Sequence, residues 1–244
     1  MLLDISFNHI VAIIILASLL TQILFGVGVL LWGTPSLLLL GYEFSTALSL
    51  LLPISMVISG LQVVKNSQHV NRRGICNFIK FSLPFAVLGL LTVMAFGINI
   101  EWFVFGALVF GGILRLNTVK RLSNKILNLK DFMLPLIGIV HGISNLGGSL
   151  LVIWVSQTET TKLGFRSTVA ACYFLLALFQ IVTLMLYKNE LVFFVAYFLF
   201  GTIAYAALDR FIMRIINDRM YGVMLNILIF LMAFLIGLKA ASVI

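Results

Sequence analysis

The chain has 244 residues, of which 62% are hydrophobic and only 10% are charged. Soluble domains carry roughly 25% charged residues, so this composition excludes a soluble fold and a disordered chain and makes lipid the expected solvent. The net charge of +8 lies mostly between apolar runs, where basic residues meet anionic headgroups, so nucleic acid is not an expected partner.

Apolar segments of about 20 residues, the length that crosses a bilayer, follow one another along the chain. They cover roughly His9–Leu31, Pro35–Val64, Phe78–Ile98, Trp102–Leu116, Phe132–Val155, Phe165–Tyr187, Leu191–Leu208 and Tyr221–Leu238. Continuous apolar runs favour helices over the alternating strands of a barrel. The predicted fold is an all-α polytopic membrane protein with about eight transmembrane segments.

Two stretches of the sequence resemble each other. A constant offset places Gly26 on Gly147 and Phe44 on Phe165, and each stretch has a small-residue cluster, an apolar helix, a polar break and a hydroxyl-bearing helix start. We therefore predict two four-segment repeats, residues 1–118 and 132–244, joined by a basic connecting loop at 119–131. The alternative is chance similarity between two apolar hairpins.

Small residues within apolar segments predict broken or re-entrant helices. The first cluster contains Gly26, Gly28, Gly33, Thr34 and Pro35, and the second contains Gly147, Gly148 and Ser149. In the first cluster, Thr34-Pro35 is typical of a new helix with proline in its first turn. The exposed amides of a helix start suit an anion. Close helix packing through small residues is the alternative.

Hydroxyl groups follow both clusters. Ser45, Thr46 and Ser49 lie on neighbouring turns, and Ser167 and Thr168 repeat them in the second half. Together they could hold a substrate with several oxygen acceptors. Each hydroxyl could instead bond to a carbonyl of its own helix.

Further polar side chains interrupt the apolar runs. His141 is a candidate proton relay, with Asn145 one turn away. The alternative is a neutral donor to a neighbouring helix, and the Gly138–Gly142 spacing also fits helix packing. Arg166 is either an anion clamp or a helix-end residue that reaches the headgroups.

Gln22 and Gln180 are interpreted as interhelical contacts.

The sequence gives little support for any chemistry beyond binding. No catalytic or phosphate-binding motif is present, and Cys76 and Cys172 suggest neither a disulfide nor a metal site. We therefore expect no enzyme activity, no cofactor and no metal.

Orientation is only partly determined by the basic residues. With eight crossings and both ends cytoplasmic, most lysines and arginines face the cytoplasm, but the segment from Asp209 to Arg219 violates the positive-inside rule. Either this segment is an exception, or one glycine-rich segment folds back without crossing. The second option reverses the relative orientation of the two halves.

The segment Gly26-Val27-Gly28-Val29-Leu30-Leu31-Trp32-Gly33-Thr34-Pro35 resembles the glycine-rich, proline-ended signature of the sulfite exporter TauE/SafE family. It departs from that signature because Val29 and Leu30 replace glycines, and the second copy has Ser149 and no proline. The resemblance implies tandem four-segment repeats and secondary transport of a small sulfur-containing or organic anion, such as sulfite or a sulfonate, across the cell membrane.

The expected partners are a small anionic substrate and the lipid bilayer, and a homodimer is left open. Two other classes remain as alternatives: a membrane-embedded scaffold protein that transports nothing, and an intramembrane enzyme.

Overall fold

The computed structural model describes residues 8–25, 28–97, 100–115, 130–159, 161–187, 193–212, 230, 234–239 and 241. Every regular element in these ranges is helical. The helices are α1 (His9–Phe25), α2 (Val29–Leu39), α3 (Phe44–Lys65), α4 (Arg72–Phe81), α5 (Leu83–Phe96), α6 (Ile100–Arg115), α7 (Lys130–Ser144), α8 (Gly148–Thr158), α9 (Lys162–Leu186) and α10 (Val195–Ile212). A 3₁₀ turn, Ser67–His69, lies between α3 and α4.

Three of the described helical stretches are long and apolar enough to cross a membrane. They are Phe44–Lys65, Arg72–Phe96, which combines α4 and α5, and Leu163–Leu186. Large apolar side chains also point outward: Val64 is 77% exposed, Phe96 is 78% exposed and Leu186 is 82% exposed. Lipid is the solvent that tolerates such surfaces, so the chain is an all-helical membrane protein.

Two of the predicted single spans are wrong because the structure interrupts them. The segment His9–Leu31 is divided between α1 and α2, and Phe132–Val155 is divided between α7 and α8. Both α2 and α8 have 11 residues. At 1.5 Å per residue such a helix is about 17 Å long, too short for a hydrocarbon core of about 30 Å.

The predicted helix start at Thr34-Pro35 is also wrong. Both residues lie inside α2, which begins at Val29, about a turn and a half earlier. Proline is tolerated here because α2 is already short and buried, and Gly33 lets it approach Leu51 of α3 closely. The sequence from Leu40 to Glu43 is the turn that leads into α3.

Polar contacts gather several helix ends at one surface, which we call the basic face and define by Lys65, Arg72, Arg73 and Arg166. Asp209, near the end of α10, forms ion pairs of 2.9 Å with Lys65 at the end of α3 and with Arg166 near the start of α9. The Asn71 side chain, before α4, donates to Glu159 after α8 at 2.6 Å. Helices α3 and α9 are therefore antiparallel.

The hairpin of α1 and α2 belongs to the opposite face. The Asn8 amide, before α1, donates to the hydroxyl of Tyr197 near the start of α10 at 2.7 Å. The Leu38 carbonyl, at the end of α2, accepts from Lys239, which also pairs with Glu101 at the start of α6. Because α1 begins and α2 ends at this face, the hairpin starts and finishes at the same side of the bundle.

The hairpin of α7 and α8 has the reverse direction. A side chain at Gly138 would overlap the Ser82 carbonyl, and one at Gly142 would overlap the Ala86 carbonyl, so α7 runs parallel to α5, away from the basic face. Helix α8 then returns to Glu159 at the basic face. Each hairpin thus enters from its own side of the bundle.

This geometry corrects the predicted eight-crossing orientation. That orientation placed the loop from Gln157 to Gly164 opposite the loop that follows Lys65, whereas Asn71 and Glu159 are hydrogen-bonded. This contact agrees with the alternative in which a glycine-rich segment folds back. Asp209 is likewise not in a loop but is a buried residue of α10.

The packing of the two halves follows one pattern. Helices α3 and α9 pack together at the centre, and each is flanked by its preceding short helix, α2 or α8. Helix α10 packs on α1 and α3, as α5 packs on α7 and α9. Several predictions lie outside the described residues: Gly26, most of the connecting loop 119–131, the turn at 188–190 and most of the last apolar segment.

Candidate functional site

The first helix break, between α1 and α2, is closed by its own hydrogen bonds. The Gln22 amide donates to the Ser59 hydroxyl at 3.3 Å and accepts from the Val29 backbone amide at 3.3 Å. Gln62 donates to the Gln22 carbonyl at 3.2 Å. A side chain at Gly28 would overlap the Gln22 backbone, so glycine permits the chain to turn back on α1.

The second helix break, between α7 and α8, is made by Asn145. This residue has a φ of 62°, a left-handed conformation that asparagine tolerates better than most residues. Its backbone amide donates to the His141 carbonyl at 2.7 Å. A side chain at Gly147 would meet the Ile137 carbonyl at 2.7 Å and the His141 Cβ at 2.6 Å, so the return of the chain along α7 requires glycine there.

The second break is linked directly to helix α2 of the first hairpin. The Asn145 side chain donates to the Thr34 hydroxyl of α2 at 2.9 Å, and both residues are fully buried. Thr34 and Asn145 come from the two sequence clusters, so the structure brings these clusters together. Asn145 Oδ1 is buried and accepts no hydrogen bond within the described residues.

A group of uncharged polar side chains surrounds the second break. The His141 ring meets the Tyr173 ring edge to face, with centroids 5.8 Å apart, and the Gln180 side chain of α9 faces the same ring. The Tyr173 hydroxyl lies against Gly148, the first residue of α8, since a Cβ there would overlap it. His141, Tyr173 and Gln180 are each 0% exposed.

Within the described residues, this group makes few hydrogen bonds. Among these residues, no hydrogen bond of normal geometry is made by the ring nitrogens of His141, by the side-chain amide of Gln180 or by the Tyr173 hydroxyl. An unmet buried polar group costs about 1–3 kcal/mol. Such a concentration at a helix break is the usual mark of a binding site rather than of a packed core. We call His141, Asn145, Tyr173 and Gln180 the polar group.

Two other predicted binding residues of the glycine clusters are in contact with neighbouring residues of the bundle. Gly33 packs against Leu51. Ser149, in the first turn of α8, is 5% exposed, and its hydroxyl is 3.5 Å from the Leu146 carbonyl. It lies beside Gly148 and so borders the polar group.

The hydroxyls of α3 lie elsewhere. Ser45 and Thr46 belong to the first turn of α3, at the opposite face, and are partly exposed. Ser45 lines an apolar cavity of about 170 Å³ with Leu48, Leu90 and Leu184. Ser49, one turn further, is buried with 1% exposure.

The predicted residues near the start of α9 are engaged at the basic face. Arg166 pairs with Asp209, the Ser167 hydroxyl donates to the Leu163 carbonyl at 2.6 Å, and the Thr168 hydroxyl accepts from the Asn71 amide at 3.0 Å. The structure therefore places these residues at the basic face and not at the second helix break.

Two members of the polar group were not among the residues singled out from the sequence as binding residues. Gln180 was interpreted as an interhelical contact, and Tyr173 was not singled out. One signal was available: the offset that aligns Phe44 with Phe165 also aligns Ser59 with Gln180, which places a polar residue equally far along each of the two antiparallel central helices.

Comparison with known proteins adds no identification. No family model, curated protein or solved structure matches the chain.

Proposed function

We propose that the protein is a secondary transporter that moves a small monovalent oxyanion, of the sulfite or sulfonate class, together with a proton. The observation that carries the proposal is the pair of oppositely directed helical hairpins, which are joined by the hydrogen bond from Asn145 at the second break to Thr34 of α2. Helices interrupted within the bilayer are typical of transporters that bind solutes near the middle of the membrane.

The polar group suits an oxyanion. Helix α8 begins at Gly148, and the first amides of a helix are unpaired donors with a partial positive charge. Gln180, Tyr173 and the imidazole of His141 add donors at the same break. Tyr173 touches Gly148 directly, so the donors of α9 and of the α8 start converge on one small region.

Charge balance supports coupling to a proton. Among the described residues, the ring and amide neighbours of His141 are Tyr173 and Gln180, both uncharged. An anion in this enclosed position needs a compensating positive charge, because a buried unpaired ion is costly. Protonation of His141 supplies that charge, so the anion and one proton bind as a neutral pair.

The proposal includes two inverted repeats of the TauE/SafE type in the cell membrane, with the basic face toward the cytoplasm. The matching helix pattern of the halves supports duplication. Lys65, Arg72, Arg73 and Arg166 lie at a single face, which agrees with the positive-inside rule. The fold-back hairpins remove the violation that straight crossings produced.

The test is uptake of radiolabelled sulfite and methanesulfonate by proteoliposomes. An inward proton gradient should drive accumulation, whereas an imposed potassium diffusion potential should have little effect because the transported pair is neutral. His141→Gln should abolish the response to the proton gradient, and His69→Gln, at an exposed histidine, serves as the matched control. Uptake driven by membrane potential alone, or no uptake of either anion by folded protein, would contradict the proposal.

A further inference from the structure

The two helix breaks contain equivalent positions with different bonding. Gln22 precedes the start of α2 by the same number of residues as His141 precedes the start of α8. Their partners on the central helices, Ser59 and Gln180, correspond under the offset of 121 residues that aligns Phe44 with Phe165, two residues more than the offset of 119 between Gln22 and His141. The pair Gln22–Ser59 at the first break is thus the counterpart of His141–Gln180 at the second.

At the first break the amide of Gln22 is satisfied at both ends, by the Ser59 hydroxyl and the Val29 amide. The Val29 amide is the first of α2, so the side chain of Gln22 caps the helix start that would otherwise face a ligand. Among Gln22, Ser59 and Gln62, the described contacts leave only Gln62 Oε1 without a partner.

At the second break Gly147 stands at the N-cap position of α8, as Gly28 does for α2. Among the described residues, no side chain accepts a hydrogen bond from the first amides of α8 in the way that Gln22 accepts one from Val29. The counterparts His141 and Gln180 are buried and lie next to each other, and within the described part of the chain their side-chain nitrogen and oxygen atoms make no hydrogen bond of normal geometry. Two halves with similar helices therefore differ in whether their polar pair is already bonded.

We infer that the breaks have different roles: the break between α1 and α2 is a closed structural joint, and the break between α7 and α8 binds the anion, with one site per chain. This inference rests on the proposed function and specifies which half holds the solute. The ligand is a small oxyanion that accepts hydrogen bonds from Gln180, from Tyr173 and from protonated His141.

The test compares Gln22→Leu with Gln180→Leu, the same chemical change at the two breaks. Gln22→Leu removes two bonded contacts and should lower the melting temperature by about 5 °C while leaving the affinity for sulfite within about twofold of the wild type. Gln180→Leu removes an unpartnered buried amide, so the melting temperature should stay or rise. Its affinity for sulfite should fall at least about tenfold.

Binding is measured on purified protein in detergent by calorimetry with sulfite, which also gives the stoichiometry. Two sites per chain, or equal losses of affinity in both variants, would overturn the inference. If the wild type binds no sulfite, the substrate in the proposed function is wrong, and the melting temperatures decide the inference by themselves. Stability lost in Gln22→Leu and kept in Gln180→Leu supports different roles, and equal losses refute them.

Discussion

Asn145 combines two requirements that few side chains meet together. Its backbone has a φ of 62°, and its amide reaches the Thr34 hydroxyl across the two hairpins. Glycine would satisfy the backbone but not the hydrogen bond, and glutamine or leucine would satisfy neither without strain. The residue therefore both reverses the chain and joins the two halves.

Substitutions at Asn145 should separate these requirements. Asn145→Gly keeps the backbone conformation and loses the hydrogen bond, so we expect a loss of about 1 kcal/mol. Asn145→Ala adds the left-handed backbone penalty of about 1–2 kcal/mol. Thermal unfolding in detergent should therefore rank wild type above Asn145→Gly and Asn145→Gly above Asn145→Ala. Equal stability of the two variants would show that the backbone penalty is absent.

At this scale the sequence identifies the unusual residues but not their partners. His141 and Asn145 stand out because polar side chains within apolar runs are rare. Gln180 has the same property, yet whether an amide is bonded across helices or left open depends on what the fold places opposite it. Gln22 and Gln180 look alike in the sequence, and only the structure separates them.

Among the helices, small residues set how closely elements approach. Gly138 and Gly142 of α7 lie against backbone carbonyls of α5, and Gly89 of α5 faces the Ile139 carbonyl at 3.1 Å from where a Cβ would stand. The packing alternative considered for the Gly138–Gly142 spacing is therefore observed, alongside a buried His141 on the same helix.

A larger side chain at the contact between α7 and α5 should destabilise the helix bundle. Gly142→Val would force α7 away from α5 and should lower the free energy of unfolding by several kcal/mol, of which overpacking typically contributes 1–3 kcal/mol. Gly106→Val is the control, because a Cβ at Gly106 of α6 has no neighbour within 4 Å. The comparison is made by thermal unfolding. A Gly142→Val protein as stable as the control would mean that the α5–α7 contact is looser than described.

The start of α8 allows a test with built-in rescue. In Gly148→Ala the new methyl overlaps the Tyr173 hydroxyl, so sulfite binding should fall about tenfold or more. Adding Tyr173→Phe removes that oxygen and leaves the ring carbon at 2.9 Å as the nearest atom, which should restore stability without restoring full affinity. Calorimetry and unfolding of both variants check this, and an unaffected Gly148→Ala would argue against ligand contact at the α8 start.

The helix breaks could be predicted from their glycines, but their direction could not. The second break falls at Gly147-Gly148, within the predicted cluster, because glycine and Asn145 permit a reversal there. In the first cluster the Thr34-Pro35 pattern misplaced the helix start, since proline is also tolerated within a short buried helix. Whether a broken helix continues or folds back is decided by contacts between residues far apart in the sequence, such as Asn71 with Glu159.

On the scale of the whole molecule, hairpins that fold back give the second half the opposite membrane orientation from the one it would have if every segment crossed. Single cysteines in a Cys76→Ser background test this, because Cys172 is buried. Arg73→Cys and Thr161→Cys should react with a membrane-impermeant maleimide only after the cells are permeabilised, whereas Glu43→Cys should react in intact cells. All three positions are exposed. If positions 73 and 161 were labelled from opposite sides of the membrane, the eight-crossing orientation would be correct instead.

The three ion pairs near the two ends of the bundle have a mechanical consequence. Asp209 ties α10 to α3 and α9 at one end, while Lys239 ties α6 and the tip of α2 at the other. The ion pairs at one end share no residue with the ion pair at the other end, so one set can break while the other remains. The proposed transport requires this independence, because a pathway open at both ends at once would dissipate the proton gradient that drives it.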